Sequence, residues 1–105
     1  MYGTSKLILK KIIGEGNIEI CEINDTQDPS FPRIKQPEPI EENLDNLKNK
    51  VLDSNADIGF AFDADSDRVG IIDNESSYIE SPYAFCIIAD HVLDIKNRRN
   101  VSTTV

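Results

Sequence analysis

The stretch FAFDADSDRVGIID, residues 60–73, limits most strongly what this chain can become. Two runs with little polar content, 56–62 and 69–72, flank three aspartates at alternate positions, Asp63, Asp65 and Asp67. Short apolar runs rich in β-branched and aromatic residues read as strands, and so few polar groups are expected of strands buried on both faces. Three carboxylates within five residues repel one another unless something positive lies among them. The chain must therefore fold as strand, acidic loop and strand, with the loop's charge compensated.

Around this centre the remaining segments alternate in type. Leu7, Ile8, Ile12 and Ile13 share one face of a short helix that ends near Gly14 or Gly16. Residues 17–24, NIEICEIN, alternate imperfectly between isoleucine and glutamate and predict a strand. Residues 25–39 hold four of the five prolines, and no regular element continues through them, because proline lacks an N–H and restricts its predecessor. Ile40, Leu44, Leu47 and Val51 recur at helical steps, with Glu41, Glu42 and Asp45 early and Lys48 and Lys50 late, as the helix dipole favours. Residues 73–76 form a turn and 77–79 a short strand. Ser81 and Pro82 make an N-cap and first-turn pair for a helix from Pro82 to about Ile95. The β-branched NVSTTV at 100–105 predicts a last strand. This order gives an α/β fold, a mixed sheet with helices packed on it. A chain that begins in a helix and stops in a strand is expected to be one domain of a larger protein.

Composition narrows the function classes. At 105 residues the chain has the size of one domain. Its formal net charge of −8 excludes a general nucleic-acid binder, since phosphate contacts need clustered Lys and Arg. The two small basic groups, Lys6/Lys10/Lys11 and Lys96/Arg98/Arg99, read as solvated helix ends. No apolar run approaches a membrane span, and MYGTSKLILKK lacks the cleavage site and apolar length of a secretory signal, so a soluble, cytoplasmic protein without membrane partners is expected. Cys21 and Cys86 lie far apart among apolar residues, with no CxxC pair, and are expected to be buried free thiols. His91 falls in the last helix without a partner ligand and reads as structural.

Carboxylate oxygens at the density of Asp63, Asp65 and Asp67 suit Mg²⁺, Mn²⁺ or Ca²⁺, whereas zinc would want His or Cys. The plainer alternative is a solvated acidic turn. A calcium EF-hand loop beginning at Asp63 would need glycine at position 68 and glutamate at position 74; the chain has Arg68 and Asn74, between strands rather than helices. An aspartyl-phosphate phosphatase would begin with Asp63-Ala-Asp65, but Asp67 stands where that pattern has a hydroxyl or apolar residue, which leaves it the runner-up. Beside the loop, Arg68 offers a planar fork to a phosphate or sugar oxygen; its plainer role is to pair with an aspartate. A metal with an arginine beside a phosphate is the equipment of phosphoryl transfer. Ser66 has no His or Lys near it in sequence to activate it, and reads as a small residue that lets the loop turn.

Asp63-Ala-Asp65-Ser-Asp67-Arg68 resembles the metal loop of the α-D-phosphohexomutases, the phosphoglucomutase/phosphomannomutase family, which carry Asp-Gly-Asp-x-Asp-Arg after a similar strand. Tyr2-Gly3-Thr4-Ser5 resembles the start of that family's second domain. Phe31-Pro32, Pro37-Glu38-Pro39 and Glu42-Asn43-Leu44 resemble its proline-rich loop and following helix, and Val101–Val105 the lead-in to its third domain. The departures are Ala64 for the usual glycine, Arg33 where Phe-Pro is commonly followed by glycine, and Gln36 where asparagine often precedes Pro-Glu-Pro. The resemblance implies one α/β domain of a multidomain phosphohexomutase, 1–100, with its metal-binding loop at 63–68, and 101–105 as the start of a linker or strand toward the next domain. It implies Mg²⁺ held by Asp63, Asp65 and Asp67, and Arg68 as the catalytic and substrate-binding contact to a phosphoryl group. The implied partners are a hexose phosphate and the other domains of the same parent chain. The implied reaction interconverts hexose 1-phosphate and 6-phosphate through a phosphoserine and a bisphosphorylated sugar. The family's phosphoserine segment and sugar-recognition and distal phosphate-binding loops have no counterpart in this sequence, so the chain alone is expected to be inactive. A free-standing, non-catalytic metal-binding or interaction module is the third reading.

Overall fold

The computed structural model describes residues 8–13, 16–32, 36–95 and 102. Helix α1 (Ile8–Ile13) is followed by an irregular stretch to the proline-rich loop. A 3-10 turn (Glu41–Asn43) leads into helix α2 (Asp45–Ser54), and then come strands β1 (Ile58–Phe62), β2 (Val69–Asp73) and β3 (Tyr78–Ile79) and helix α3 (Ser81–Asp94). The α/β arrangement expected from the sequence is present.

Hydrophobic alternation explains which faces pack. Along β1 the small residues Gly59 and Ala61 point into the core, and opposite them on β2 stand Ile72 and Gly70. Leu44 and Val51 close over this face, with Leu47, Ala56 and Tyr78 packed at the margin. The two glycines let other elements come close. A Cβ on Gly59 would lie 2.8 Å from Val51 Cγ2, and one on Gly70 would run into the Pro39 carbonyl oxygen. Helix α2 ends on Asn55 in the left-handed region (φ 48°), with its N–H and that of Ala56 returned to Leu52 O and Val51 O. Asparagine tolerates that conformation at a helix end.

Both strand pairings are antiparallel, in the order β1-β2-β3. The strand expected at 17–24 is not found, and this segment is irregular here. Its isoleucines line an apolar groove against α2 and β1 instead of pairing with the β1 edge, and Lys10 reaches Glu22 at 3.7 Å. Burial of β1 and β2 on both faces is also not found among the described residues. Ile58, Phe60 and Val69, on the face away from α2, are exposed.

Three smaller expectations are corrected. The helix predicted from Ile40 is broken at Leu44 (φ −105°, ψ 7°), so a 3-10 turn precedes the α-helix proper. Helix α3 begins one residue early, because the Glu80 carbonyl already accepts from Tyr83 N and Ala84 N, which makes Glu80 the cap and Ser81 the first helical residue. Cys21 and Cys86 are free but exposed: one lies in the irregular segment, the other on the outer side of α3. His91 is also exposed on α3. No helix among the described residues is long and apolar enough to cross a membrane. All of the final segment 100–105 except Ser102, which is in no regular element, lies outside the described residues, as do Tyr2–Ser5, Arg33 and most of the two basic groups.

Candidate metal centre

The aspartate loop is the turn of the β1–β2 hairpin. Phe62 and Val69 are the last paired residues, and the loop between them is closed by its own ends. Asp63 N donates to Arg68 O at 3.4 Å, and Arg68 N donates to Asp63 Oδ1 at 3.3 Å. Ser66 turns the backbone through the left-handed region (φ 70°), the role its size predicted. Ala64 is not among the residues with positive φ, so alanine in place of the family's glycine carries no left-handed strain.

The structure brings all three sequence-predicted aspartates together. One carboxylate oxygen from each of Asp63, Asp65 and Asp67 lies within 4.8 Å of the others. Asp63 is 1% exposed at the base of the loop, while Asp65 and Asp67 are exposed at its mouth. An all-oxygen, all-anionic donor set with one buried anchor and two open ligands fits a hard divalent cation that keeps part of its water.

The charges act on one another. Burial pushes the Asp63 carboxyl up, but hydrogen bonds from Arg68 and Asp67 and the Arg68 charge outweigh it and bring it down to about 2. Asp67 moves the other way, raised first by its hydrogen bond to Asp63 and then by the charges of Asp63 and Asp65. Two carboxyl groups in that relation share either a proton or a cation.

Arg68 donates from Nε to Asp63 Oδ2 at 2.8 Å and lies 3.7 Å from Asp67 Oδ1. Its Nη1 pairs with Glu38 Oε1, also at 2.8 Å. Arg68 therefore serves the aspartates and still keeps 54% of its side chain exposed. Glu38 and Asp63 together hold its pKa well above the ordinary arginine value. With both oxygens accepting from Arg68 and almost no exposure, Asp63 is placed as an anchor rather than as the nucleophile an aspartyl-phosphate phosphatase needs.

Glu38 was missed as a site residue, although the Pro-Glu-Pro that holds it was noticed. It reaches the loop because its own segment is fastened in three places. Asn43 Nδ2 donates to Gln36 O at 3.0 Å and Glu38 O at 2.9 Å. Tyr78 Oη donates to Pro39 O at 3.4 Å, and Pro39 sits directly over Gly70. A glutamate locked between two prolines ahead of a helix-entry asparagine is the only hint the sequence offers.

A family model described as phosphoglucomutase/phosphomannomutase, alpha/beta/alpha domain II, matches residues 1–76. Among similar curated proteins, one named a probable phosphoglucosamine mutase, from Pyrococcus horikoshii, is 37% identical over 78 residues, which is 74% of this chain and 17% of that protein. One from Thermococcus kodakarensis, named phosphoglucomutase/phosphomannomutase, is 35% identical over 91 residues, 87% of this chain and 20% of its own length. A further probable phosphoglucosamine mutase, from Pyrococcus abyssi, is 35% identical over 103 residues, 98% of this chain and 22% of its own length. The chain thus spans about a fifth of the length of these relatives.

Proposed function

Because this chain belongs to the phosphoglucomutase/phosphomannomutase family, matching its alpha/beta/alpha domain II, we propose that it is the Mg²⁺-binding domain of a cytoplasmic phosphohexomutase. The observation that carries this reading is the meeting of three carboxylates within 4.8 Å of one another beside a partly exposed, doubly anchored arginine. Asp63, Asp65 and Asp67 are the metal ligands. Arg68 is the catalytic and substrate-binding contact, aimed at a phosphoryl oxygen. The bound ion would offset part of the negative charge on the phosphoryl group and so lower the barrier to attack on it. Asp63 fixes the loop's base, Asp65 and Asp67 leave its mouth open, and Arg68 supplies the planar donor fork.

The substrate is a hexose phosphate, and the reaction is its interconversion between 1- and 6-phosphate forms through a phosphoserine and a bisphosphorylated sugar. The names of the relatives support a glucose, mannose or glucosamine phosphate. The domain runs over 1–100, and 101–105 leads toward the next domain. Alone, the chain turns over no substrate, because one part of a phosphoryl-transfer site positions little.

A coupled assay of glucose 1-phosphate turnover in the full-length protein that carries this domain tests the reading, with mannose and glucosamine 1-phosphates assayed alongside. Asp65→Asn is expected to lower kcat/KM by on the order of 10²-fold or more for whichever sugar is used. Wild-type rates in the variant, or turnover by the isolated chain, would contradict it.

A further inference from the structure

Arg68 is held twice, and its second holder comes from a distant part of the sequence. Asp63 accepts from Nε, and Glu38 faces Nη1. The two contacts constrain different motions. A bond at Nε sets the direction of the side chain but leaves the planar guanidinium able to swing about the Cδ–Nε bond. An ion pair at Nη1 opposes that rotation and fixes the plane of the fork.

The holders also differ in what else they are asked to do. Asp63 belongs to the carboxylate group that would share a cation, whereas Glu38 stands outside it. Glu38 is itself rigidly placed. Proline on either side restricts its backbone, Asn43 takes its carbonyl, and Pro39 is seated on Gly70. A carboxylate fixed this firmly, 2.8 Å from one end of a guanidinium whose other surface is open, orients the open surface.

We infer that Glu38 is a positioning residue: it sets the plane and direction of the Arg68 guanidinium so that its exposed donors meet a phosphoryl oxygen beside the aspartate loop. The phosphoryl destination rests on the function proposed above; the positioning rests on the contacts alone. Glu38 delivers the proline-rich loop's contribution to the site, and it does so through Arg68.

The test uses ¹⁵N-arginine NMR on this chain, comparing wild type with Glu38→Gln, each without metal and with Mg²⁺. In the wild type the Arg68 Nη groups are expected to exchange slowly. Glu38→Gln is expected to speed that exchange about 10-fold or more, while leaving the Mg²⁺-induced amide shifts at 63–68 as they are in the wild type. Nη exchange in the variant within twofold of wild type overturns the inference. Absence of Mg²⁺ shifts in both proteins would count against the metal reading instead, and the Nη comparison without metal would still decide the role of Glu38. If Glu38→Gln loses its amide dispersion, Glu38→Asp, which keeps the charge but withdraws it by one methylene, is read in the same way.

Discussion

Among the described residues Asp63 is the buried charged one, almost completely covered and accepting three hydrogen bonds from Arg68 and Asp67. Its folded pKa of about 2 lies below its ordinary value of 3.8, so its contribution to stability is present above pH 4 and is lost as pH falls toward 2. Asp67, raised, acts with the opposite sign: it favours the fold while protonated, and that benefit is lost as pH rises through its folded value. Urea midpoints of the metal-free chain should therefore fall between pH 4 and pH 2. The gap between wild type and Asp63→Asn should close over the same window. A gap that stays constant down to pH 2 would show that Asp63 is not held in this way. At this scale the sequence was informative about chemistry and poor about surroundings. Three aspartates at alternate positions announce a shared point because repulsion is local and spacing is visible. The Glu38–Arg68 pair joins residues far apart in the chain, and nothing in either neighbourhood names the other. The exposure of Cys21 and Cys86 was misread for a related reason: apolar sequence neighbours indicate a buried residue only when the face it occupies is covered.

Among the elements, the β1–β2 hairpin and the proline-rich loop act as a unit. The loop 63–68 is aimed by the hairpin, and the hairpin's small-residue face lets the Pro-Glu-Pro segment lie directly upon it. Gly70 is where they touch. A methyl group there meets the Pro39 backbone carbonyl, which has no rotamer to give way, and lies 3.2 Å from Cδ1 of the fully buried Leu44. Gly70→Ala is expected to destabilise the chain by about 1–3 kcal/mol in chemical denaturation. It should also displace the amide signals of both Glu38 and Arg68. A variant as stable as wild type, with those signals unmoved, would show that the loop does not rest on Gly70. Helix α2 was legible because periodicity reports on one buried face, β1 and β2 because short apolar runs read as strands, and α3 because Ser81-Pro82 marks a helix start. The segment 17–24 was not legible. Its alternation promises a half-buried strand, but a strand also needs a neighbour to bond, and periodicity carries no information about that.

For the whole molecule, the α/β layering, the acidic balance and the position of the acidic turn could all be read from residue order. The family was visible in Asp63-Ala-Asp65-Ser-Asp67-Arg68, because the residues that carry the resemblance lie side by side in the sequence. What escaped was the arrangement around the motif: the antiparallel hairpin that bears it, the open outer face of β1 and β2, and the second anchor on Arg68. The central claim is that the loop is a metal site and not a solvated acidic turn. A Mg²⁺ and Mn²⁺ titration of this chain, followed by amide NMR beside Asp65→Asn, tests it most directly. The account predicts saturable Mg²⁺ shifts and Mn²⁺ broadening confined to 63–68 and the facing Glu38, both lost in the variant. Shifts spread evenly over the acidic surface, or equal in the two proteins, would contradict it.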